Sequence, residues 1–337
     1  MGNGGKKKVD AVFEGGGVRG IGLVGAAAVV EERGYAFENV AGTSAGAIVA
    51  SLIAAGYSTP ELTAIMREVT YTKFRDRSPF DRVPLVGPLT SLLVEKGIYE
   101  GDYFEGWLRD LLRAKGVRTF RDLVMREHAN ELRYRYRLQV VAADISNGRL
   151  LHLPHDIRDY GIAPDDLEVA RAVRMSMSIP FFYEPVKLED AEGRECFIVD
   201  GGVLSNFPVW IFDDGTSDPA WPTFGFRLVS GAAPSQNRVK GPVSFFVALA
   251  KTMLSAHDAR YAKDADFVRT IAVESGDVGT TEFDLQPDKR DRLYESGREA
   301  ARTFLEDWDF ERYKKAFREN RPQESRGRRL RRASSPP

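Results

Sequence analysis

The residues of this chain best suited to covalent chemistry are a serine and an aspartate far apart in the sequence. Ser44 stands in the middle of residues 42–46, Gly-Thr-Ser-Ala-Gly, so both of its second neighbours are glycines. A serine on a sharp turn from a strand into a helix needs such neighbours, because only residues without side chains let the surrounding backbone come so close. The pattern predicts a nucleophilic serine on a nucleophile elbow, with Gly42 and Gly46 making room for it.

The sequence on either side of Ser44 predicts the strand and the helix that this elbow requires. Val40 is predicted to be the core of a strand before Ser44, and residues 45–55 carry apolar side chains at helical spacing before Gly56. Ser44 is then at a helix N-terminus, where free N–H groups and the helix dipole stabilise negative charge.

Asp200 is the second candidate, because it ends the apolar run at residues 196–199 and precedes Gly201 and Gly202. We expect the run to be a buried strand that brings the carboxylate to the carboxyl edge of a sheet, where it can accept the hydroxyl proton of Ser44. The alternative is an Asp-Gly turn that only caps backbone N–H groups. The presence of Ser44 favours the catalytic interpretation.

A glycine loop lies upstream of the elbow, at residues 15–20, with the sequence Gly-Gly-Gly-Val-Arg-Gly. Residues 8–14 predict a strand before it, and the apolar residues after it predict a helix that ends at Gly34. Loop and elbow then belong to one βαβ unit and emerge at the same edge of a parallel sheet. N–H groups of the loop and of Ala45 can therefore stabilise an oxyanion at one place. The candidate donors in the loop are Gly15, Gly16, Gly17 and Val18.

The same loop fits a second interpretation, since Gly15, Gly17 and Gly20 have the G-x-G-x-x-G spacing of dinucleotide-binding proteins. That fingerprint requires an acidic residue at the end of the second strand, about twenty residues further on. Here Glu38 comes before the core of that strand and Ser44 follows its end. Dinucleotide binding is therefore disfavoured.

In their order along the chain, these motifs resemble those of the patatin-like phospholipases, serine acyl hydrolases with a Ser–Asp dyad. Residues 15–20 are similar to the oxyanion loop of that family, residues 42–46 to its elbow and residues 200–209 to its aspartate block. Residues 170–182 are similar to the segment before the aspartate, although Arg174-Met175 replaces smaller residues. The resemblance is good from residue 8 to residue 210 and looser beyond.

The resemblance implies a three-layer α/β/α fold with a central, mostly parallel sheet. It also implies a phospholipase A or lysophospholipase type of activity that releases fatty acids from glycerolipid esters through a Ser44–Asp200 dyad, with no cofactor and no metal. The substrate would be a phospholipid or lysophospholipid, met at a peripheral membrane surface. The motif residues around the dyad are Arg19, Gly20, Gly42, Gly46, Gly201 and Gly202.

Arg19 and the four histidines are the other side chains that could handle charge or protons. Arg19 either steadies charge near the oxyanion or forms a salt bridge behind the loop. His128, His152 and His155 are interpreted as surface residues. His257 follows Ser44 and Asp200 in the chain order of an α/β-hydrolase triad, but its neighbours predict an ordinary amphipathic helix.

Two alternatives to the dyad hydrolase stay open. One is a lipid-binding or effector-gated signalling module with little basal turnover. The other is a Ser-His-Asp esterase that uses His257. The presence of both Ser44 and Asp200 favours an enzyme of the dyad type.

Composition predicts a cytoplasmic enzyme with one large domain. The chain has 337 residues, 43% hydrophobic and 29% charged, which is enough for a substantial core. No apolar run reaches the roughly 18 residues of a membrane span, and the start of the chain lacks the apolar region of a signal peptide. Cys196 is the single cysteine, so an internal disulfide is excluded.

The predicted organisation is a flexible N-terminus at residues 1–7, an acyl hydrolase domain at residues 8–315 and a basic disordered tail at residues 316–337. From residue 318 onward the chain holds seven arginines against two glutamates, a balance of +5, while the whole chain has a formal charge of −1. Such a tail can attract anionic lipid. Nucleic acid is not expected as a partner, because the rest of the chain is acidic.

Three further features receive structural interpretations. Residues 71–101 are apolar but broken by prolines and predict either a core helix with a loop or a lid over an acyl pocket. Residues 245–254 predict a core helix. Asp144, at the end of an apolar run, is expected to have a structural or supporting role only.

Overall fold

The computed structural model describes residues 5–69, 101–128, 130–229, 264–279, 282 and 285–319. Several segments with sequence predictions lie outside the described residues. They are residues 71–100, which predict either a core helix with a loop or a lid, the apolar segment 245–254, His257 and the basic segment after residue 319.

The described residues form one sheet with helices packed against it. The strands are β1 Lys7–Phe13, β2 Tyr35–Thr43, β3 Leu138–Asp144, β4 Arg149–Leu153, β5 Val186–Glu189, β6 Glu195–Asp200, β7 Thr223–Val229 and β8 Thr270–Glu274. The helices are α1 Gly20–Glu32, α2 Ala45–Ala54, α3 Thr59–Glu68, α4 Asp102–Ala114, α5 Val169–Ser176, α6 Asp264–Val268, α7 Pro287–Asp307 and α8 Phe310–Phe317.

The strand order is β5-β6-β3-β2-β1-β7-β8, with β4 paired to β3. β3, β2, β1, β7 and β8 run parallel to one another, whereas β4, β5 and β6 join through antiparallel pairings. The predicted mostly parallel central sheet is therefore confirmed, and its antiparallel strands are confined to one side.

Both edges of β3 pair with other strands, and this pairing brings the ends of β2 and β6 together. β4 pairs along one edge over residues 140–144. β2 and β6 therefore lie along the other edge, where Thr43 of β2 is opposite Val141 and Asp200 of β6 is opposite Ala142. Because β2 runs parallel and β6 antiparallel to β3, their carboxyl ends meet.

The alternation of side chains along the central strands separates two cores. Val9, Ala11 and Phe13 of β1 belong to the large cluster that contains the helices α1, α2 and α7. On the opposite face, Val12 packs with Ile211 and with residues of β2 and β3. Both faces of the sheet are thus buried, and the three-layer α/β/α architecture that the family resemblance implied is confirmed.

Helices α1 and α7 pack closely because glycines line their contact. A methyl group on Gly25 would lie 2.1 Å from the carbonyl oxygen of Tyr294, and one on Gly297 would lie 1.9 Å from that of Gly22. This close packing holds α1, and with it the glycine loop that precedes α1, against the sheet.

A buried ionic network fixes the C-terminal helix α8. Asp213 accepts hydrogen bonds from Arg269 Nη1 at 2.7 Å and Nη2 at 2.8 Å, and from Arg318 Nη2 at 2.5 Å. Arg269 is 1% exposed and Arg318 is 6% exposed. Helix α8 continues to Phe317 and its buried contacts to Arg318, so the ordered structure extends a few residues beyond residue 315, and the predicted domain boundary stays a prediction. The tertiary contacts of Arg318 could not be read from its basic sequence neighbours.

Candidate active site

Ser44 occupies the turn between β2 and α2 in a strained backbone conformation. Its φ of 53° and ψ of −126° lie where residues with side chains are rarely found. A methyl group on Gly42 would lie 2.3 Å from the carbonyl of Gly46, and one on Gly46 would lie 2.2 Å from the carbonyl oxygen of Phe13. The glycines on both sides of Ser44 therefore have the steric role that their spacing predicts.

The backbone of Ser44 is fixed by a buried serine from α5. The N–H of Ser44 donates to Ser176 Oγ at 2.8 Å, and that hydroxyl donates to the carbonyl oxygen of Val141 at 2.6 Å. The hydroxyl of Ser44 also contacts the sulfur of Met177 at 3.6 Å. Since Ser176 takes the N–H of Ser44, this N–H is not free to bind an oxyanion.

Asp200 faces Ser44 from the end of β6. Its N–H donates to the carbonyl oxygen of Ser178 at 2.9 Å, and its Oδ1 accepts the N–H of Gly202 at 2.8 Å. A methyl group on Gly201 would lie 2.3 Å from the carbonyl oxygen of Val141, so the turn after Asp200 lies directly on β3. The backbone of Asp200 and one of its carboxylate oxygens are therefore held by their neighbours.

The burial of Asp200 makes it a better base than an ordinary aspartate. The residue is 1% exposed. Desolvation raises its pKa from 3.8 to about 6, although hydrogen bonds from the Ser44 side chain and the Gly202 N–H lower it. At neutral pH the group is still ionised for the most part, and the Ser44 side chain lies close enough to lower its pKa.

The glycine loop lies beside the nucleophile. Gly17 has a φ of 57°, and a short 3₁₀ turn at Gly17–Arg19 leads into α1, which begins at Gly20. The β-carbon position of Gly15 is 3.1 Å from the β-carbon of Ser44. Loop and elbow are thus neighbours at the carboxyl edge of the sheet.

The N–H of Gly15 is already engaged, because it donates to the carbonyl oxygen of Asn206 at 3.2 Å. The Gly15 N–H is therefore less available as an oxyanion donor than those of the other predicted residues, and the role of the loop stays a prediction. A partner almost two hundred residues away in sequence could not be foreseen from the loop itself. Gly16, Gly17 and the buried Val18 remain candidates.

Arg19 contacts the glycine loop through hydrogen bonds to uncharged groups. Its Nε donates to the carbonyl oxygen of Gly16 at 3.2 Å and its Nη1 donates to Ser275 Oγ at 3.2 Å. Burial lowers the pKa of the Arg19 guanidinium, and the nearby charge of Glu14 opposes this shift. The side chain thereby links the loop to the end of β8.

The histidine predictions need one correction. His155 is 7% exposed, and its ring packs 5.3 Å from the ring of Tyr136 because the 3₁₀ turn His155–Tyr160 folds against the domain. The neighbouring Pro154 predicts a surface loop, so this part of the prediction is wrong. His128 and His152 are half-buried, in contact with Tyr134 and Trp210 respectively.

Asp144 has a structural role. Its Oδ1 accepts the N–H of Ser146 at 2.9 Å, and its Oδ2 accepts Tyr160 Oη at 2.7 Å and Asn147 Nδ2 at 2.7 Å. These bonds close the turn between β3 and β4. Cys196 is buried nearby, and burial raises the pKa of its thiol.

Sequence reasoning missed the residues that support the two candidate catalytic side chains. Ser176 and Met177 contact Ser44, and Asn206 contacts Gly15. All three lie in segments similar to known family motifs, so the signal was present, but their contacts cross more than one hundred residues of sequence.

The chain is similar to known proteins. The model of the patatin-like phospholipase family matches residues 11–213. The uncharacterized protein YqhO of Bacillus subtilis is 41% identical over 305 residues, which are 90% of this chain and 99% of that protein. The chain belongs to the patatin-like phospholipase family, and this membership supports a lipid ester hydrolase activity.

Two further matches have lower sequence identity to this chain. The probable lipid hydrolase 463L of Invertebrate iridescent virus 6 is 25% identical over 198 residues, 59% of this chain and 61% of that protein. The crystal structure of VipD from Legionella pneumophila matches with a TM-score of 0.53 and 19% identity, over 90% of this chain and 67% of that chain. The VipD match supports the fold alone.

Among the helices in the described part of the chain, none is both long and apolar enough to span a bilayer.

Proposed function

We propose that this protein is a serine acyl hydrolase of the phospholipase A or lysophospholipase type, which releases fatty acids from glycerolipid esters through a Ser44–Asp200 dyad. The observation that carries the proposal is that β2 and β6 end at neighbouring residues of β3, which places the strained Ser44 beside the buried carboxylate of Asp200. An elbow serine beside such a base is activated for nucleophilic attack.

In the first step, Ser44 Oγ attacks the ester carbonyl while Asp200 accepts the hydroxyl proton. Asp200 then passes this proton to the leaving alcohol, and an acyl group remains on Ser44. In the second step, water attacks the acyl-serine, Asp200 accepts a proton from the water and returns it to Ser44, and the fatty acid leaves. A base with a pKa near 6 serves both directions of transfer at neutral pH.

Backbone N–H groups of Gly16, Gly17 and Val18, together with the N-terminus of α2, stabilise the oxyanion in both steps. The position of the loop beside Ser44 supports this assignment, and Arg19 steadies the loop by its bond to the Gly16 carbonyl. Loss of one such donor typically lowers the rate by about a hundredfold to a thousandfold.

The substrates we propose are phospholipids or lysophospholipids that the protein meets at a membrane surface as a peripheral protein. The arginine-rich segment after residue 319 supports this contact, because it has six arginines and one glutamate. Each basic residue near an anionic surface contributes about 1 kcal/mol of attraction.

The test is fatty acid release from a panel of phospholipids and lysophospholipids by the purified protein, with Ser44→Ala measured beside it. We expect release from at least one lipid class and none with Ser44→Ala. Tight binding of the same lipids without Ser44-dependent release would instead favour the lipid-binding module.

A further inference from the structure

Asn206 forms hydrogen bonds with both the carbonyl oxygen and the N–H of Gly15, the first residue of the glycine loop. Its Nδ2 donates to the carbonyl oxygen of Gly15 at 3.0 Å, and its own carbonyl oxygen accepts the Gly15 N–H at 3.2 Å. A methyl group on Gly15 would lie 2.2 Å from Asn206 Oδ1. One residue therefore holds both peptide groups of Gly15, and its side chain leaves no room for a methyl group there.

Asn206 is also joined rigidly to Asp200. The turn that follows Asp200 is closed by two hydrogen bonds to the Gly201 carbonyl oxygen, from the N–H of Leu204 at 3.0 Å and from the N–H of Ser205 at 2.8 Å. Thr43 Oγ1 donates to the carbonyl oxygen of Ser205 at 3.4 Å. The same turn thus contacts the strand end that carries the elbow.

We propose that Asn206 is a positioning residue, which fixes the oxyanion loop relative to Asp200 so that the oxyanion donors and the base stay aligned on Ser44. This inference rests on the proposed hydrolase function. Because Asn206 occupies the Gly15 N–H, the orientation of the next N–H groups, at Gly16 and Gly17, depends on how the Gly15 peptide is held.

An amide side chain is required for this role, because its Nδ2 must donate to the carbonyl of Gly15. Alanine would remove the donor, and an aspartate carboxylate would place an acceptor against an acceptor. The backbone bond between Asn206 and Gly15 survives in both variants, so we expect the fold to remain and the loop to loosen.

The experiment compares Asn206→Ala and Asn206→Asp with wild type and with Asn147→Ala. Asn147 is a matched control, because its Nδ2 donates to Asp144 Oδ2 at 2.7 Å away from the dyad. The measurements are kcat and KM on a chromogenic ester, and the inhibition constant of an alkyl trifluoromethyl ketone, whose serine adduct carries an oxyanion.

We expect both Asn206 variants to lower kcat by at least about tenfold, with KM changed by less than about twofold. Inhibitor affinity should fall in proportion to kcat/KM, because both report binding of the oxyanion. For Asn206→Asp, the ratio of its kcat to that of wild type should rise as the pH is lowered, since a protonated carboxyl group regains a donor. Asn147→Ala should leave all these quantities unchanged.

Wild-type kcat and inhibitor affinity in both Asn206 variants would overturn the inference. So would the loss of a cooperative thermal transition in both, because Asn206 would then be needed for folding and not for positioning the loop. The hydrolase proposal fails by a separate result: Ser44→Ala that keeps the wild-type rate on the same ester.

Discussion

Ser44 and Asp200 are brought together by two strands that run toward each other along one edge of β3. Thr43, the last residue of β2, is opposite Val141, and Asp200, the last residue of β6, is opposite Ala142. The separation of the two side chains is therefore set by consecutive residues of a single buried strand. The pairing with β3 therefore fixes the two strand ends that carry the hydroxyl and the carboxylate.

The buried carboxylate predicts a defined pH profile. Because the pKa of Asp200 is raised to about 6, lowering the pH through this value protonates the base and removes its ability to accept the Ser44 proton. We expect kcat/KM on a soluble chromogenic ester to rise with pH below about 6 and to level off above about 7. A midpoint near the ordinary aspartate value of 3.8, or no pH dependence, would contradict this role for Asp200.

Gly46→Ala should damage the elbow. The new methyl group would lie 2.2 Å and 2.6 Å from the carbonyl oxygens of Phe13 and Glu14, which are backbone atoms of the sheet. We expect kcat/KM to fall at least about a hundredfold. The matched control is Gly106→Ala in α4, where nothing lies within 4 Å, and alanine there should stabilise the helix by about 0.5–1 kcal/mol with activity unchanged. Equal activities of the two variants would refute the steric argument.

Asp10 predicts a pH-dependent stability away from the site. Burial raises its pKa from 3.8 to about 7, against the lowering effect of hydrogen bonds from Asn39. The folded protein thus keeps a proton that the unfolded chain releases, and the stability due to neutral Asp10 is lost as pH rises toward 7. Asp10→Asn should raise Tm by at least about 2 °C at pH 8 and by less at pH 5. The exposed Asp218→Asn is the control, and an equal Tm shift of Asp10→Asn at both pH values would argue against this account.

The basic C-terminal segment can be tested without disturbing the domain. Deletion must begin after Glu319, because Arg318 is buried against Asp213. The variant lacking residues 320–337 loses a net charge of +5 and should bind anionic vesicles more weakly at low salt, with little difference at high salt. Replacing the six arginines by lysine keeps the charge and should keep the binding. Hydrolysis of a soluble ester should not change, and equal vesicle binding by all forms would show that the segment is no tether.

Local sequence patterns were sufficient to predict the first βαβ unit, the elbow and the strand before Asp200. Glycine positions and apolar runs report the nearby backbone, and there the boundaries agree with the structure within a residue or two: the predicted helix at residues 45–55 is α2, Ala45–Ala54. The meeting of β2 and β6 on β3 depends on strand pairing over long sequence distances, which such patterns do not encode.

The same limit explains the supporting contacts and the corrections. Ser176 reaches Ser44 across 132 residues, and Asn206 reaches Gly15 across 191 residues. Arg318 precedes a segment of similar arginines in the sequence, but its buried partner Asp213 lies 105 residues away. In each case the tertiary fold places the partner of a polar group, so the local sequence does not predict the contact.

The central claim, that Asp200 is the base for Ser44, is tested most directly by comparing fatty acid release by Asp200→Asn and His257→Ala at a pH near 8. The folded-state pKa of Asp200 lies above its ordinary value, so the stability due to its neutral form is lost as pH rises through about 6. Asp200→Asn should therefore be at least as stable as wild type at that pH, and inactivity cannot be ascribed to unfolding. We predict that Asp200→Asn abolishes release while His257→Ala keeps most of it. Loss of release in His257→Ala with activity retained in Asp200→Asn would contradict the dyad and favour a histidine base.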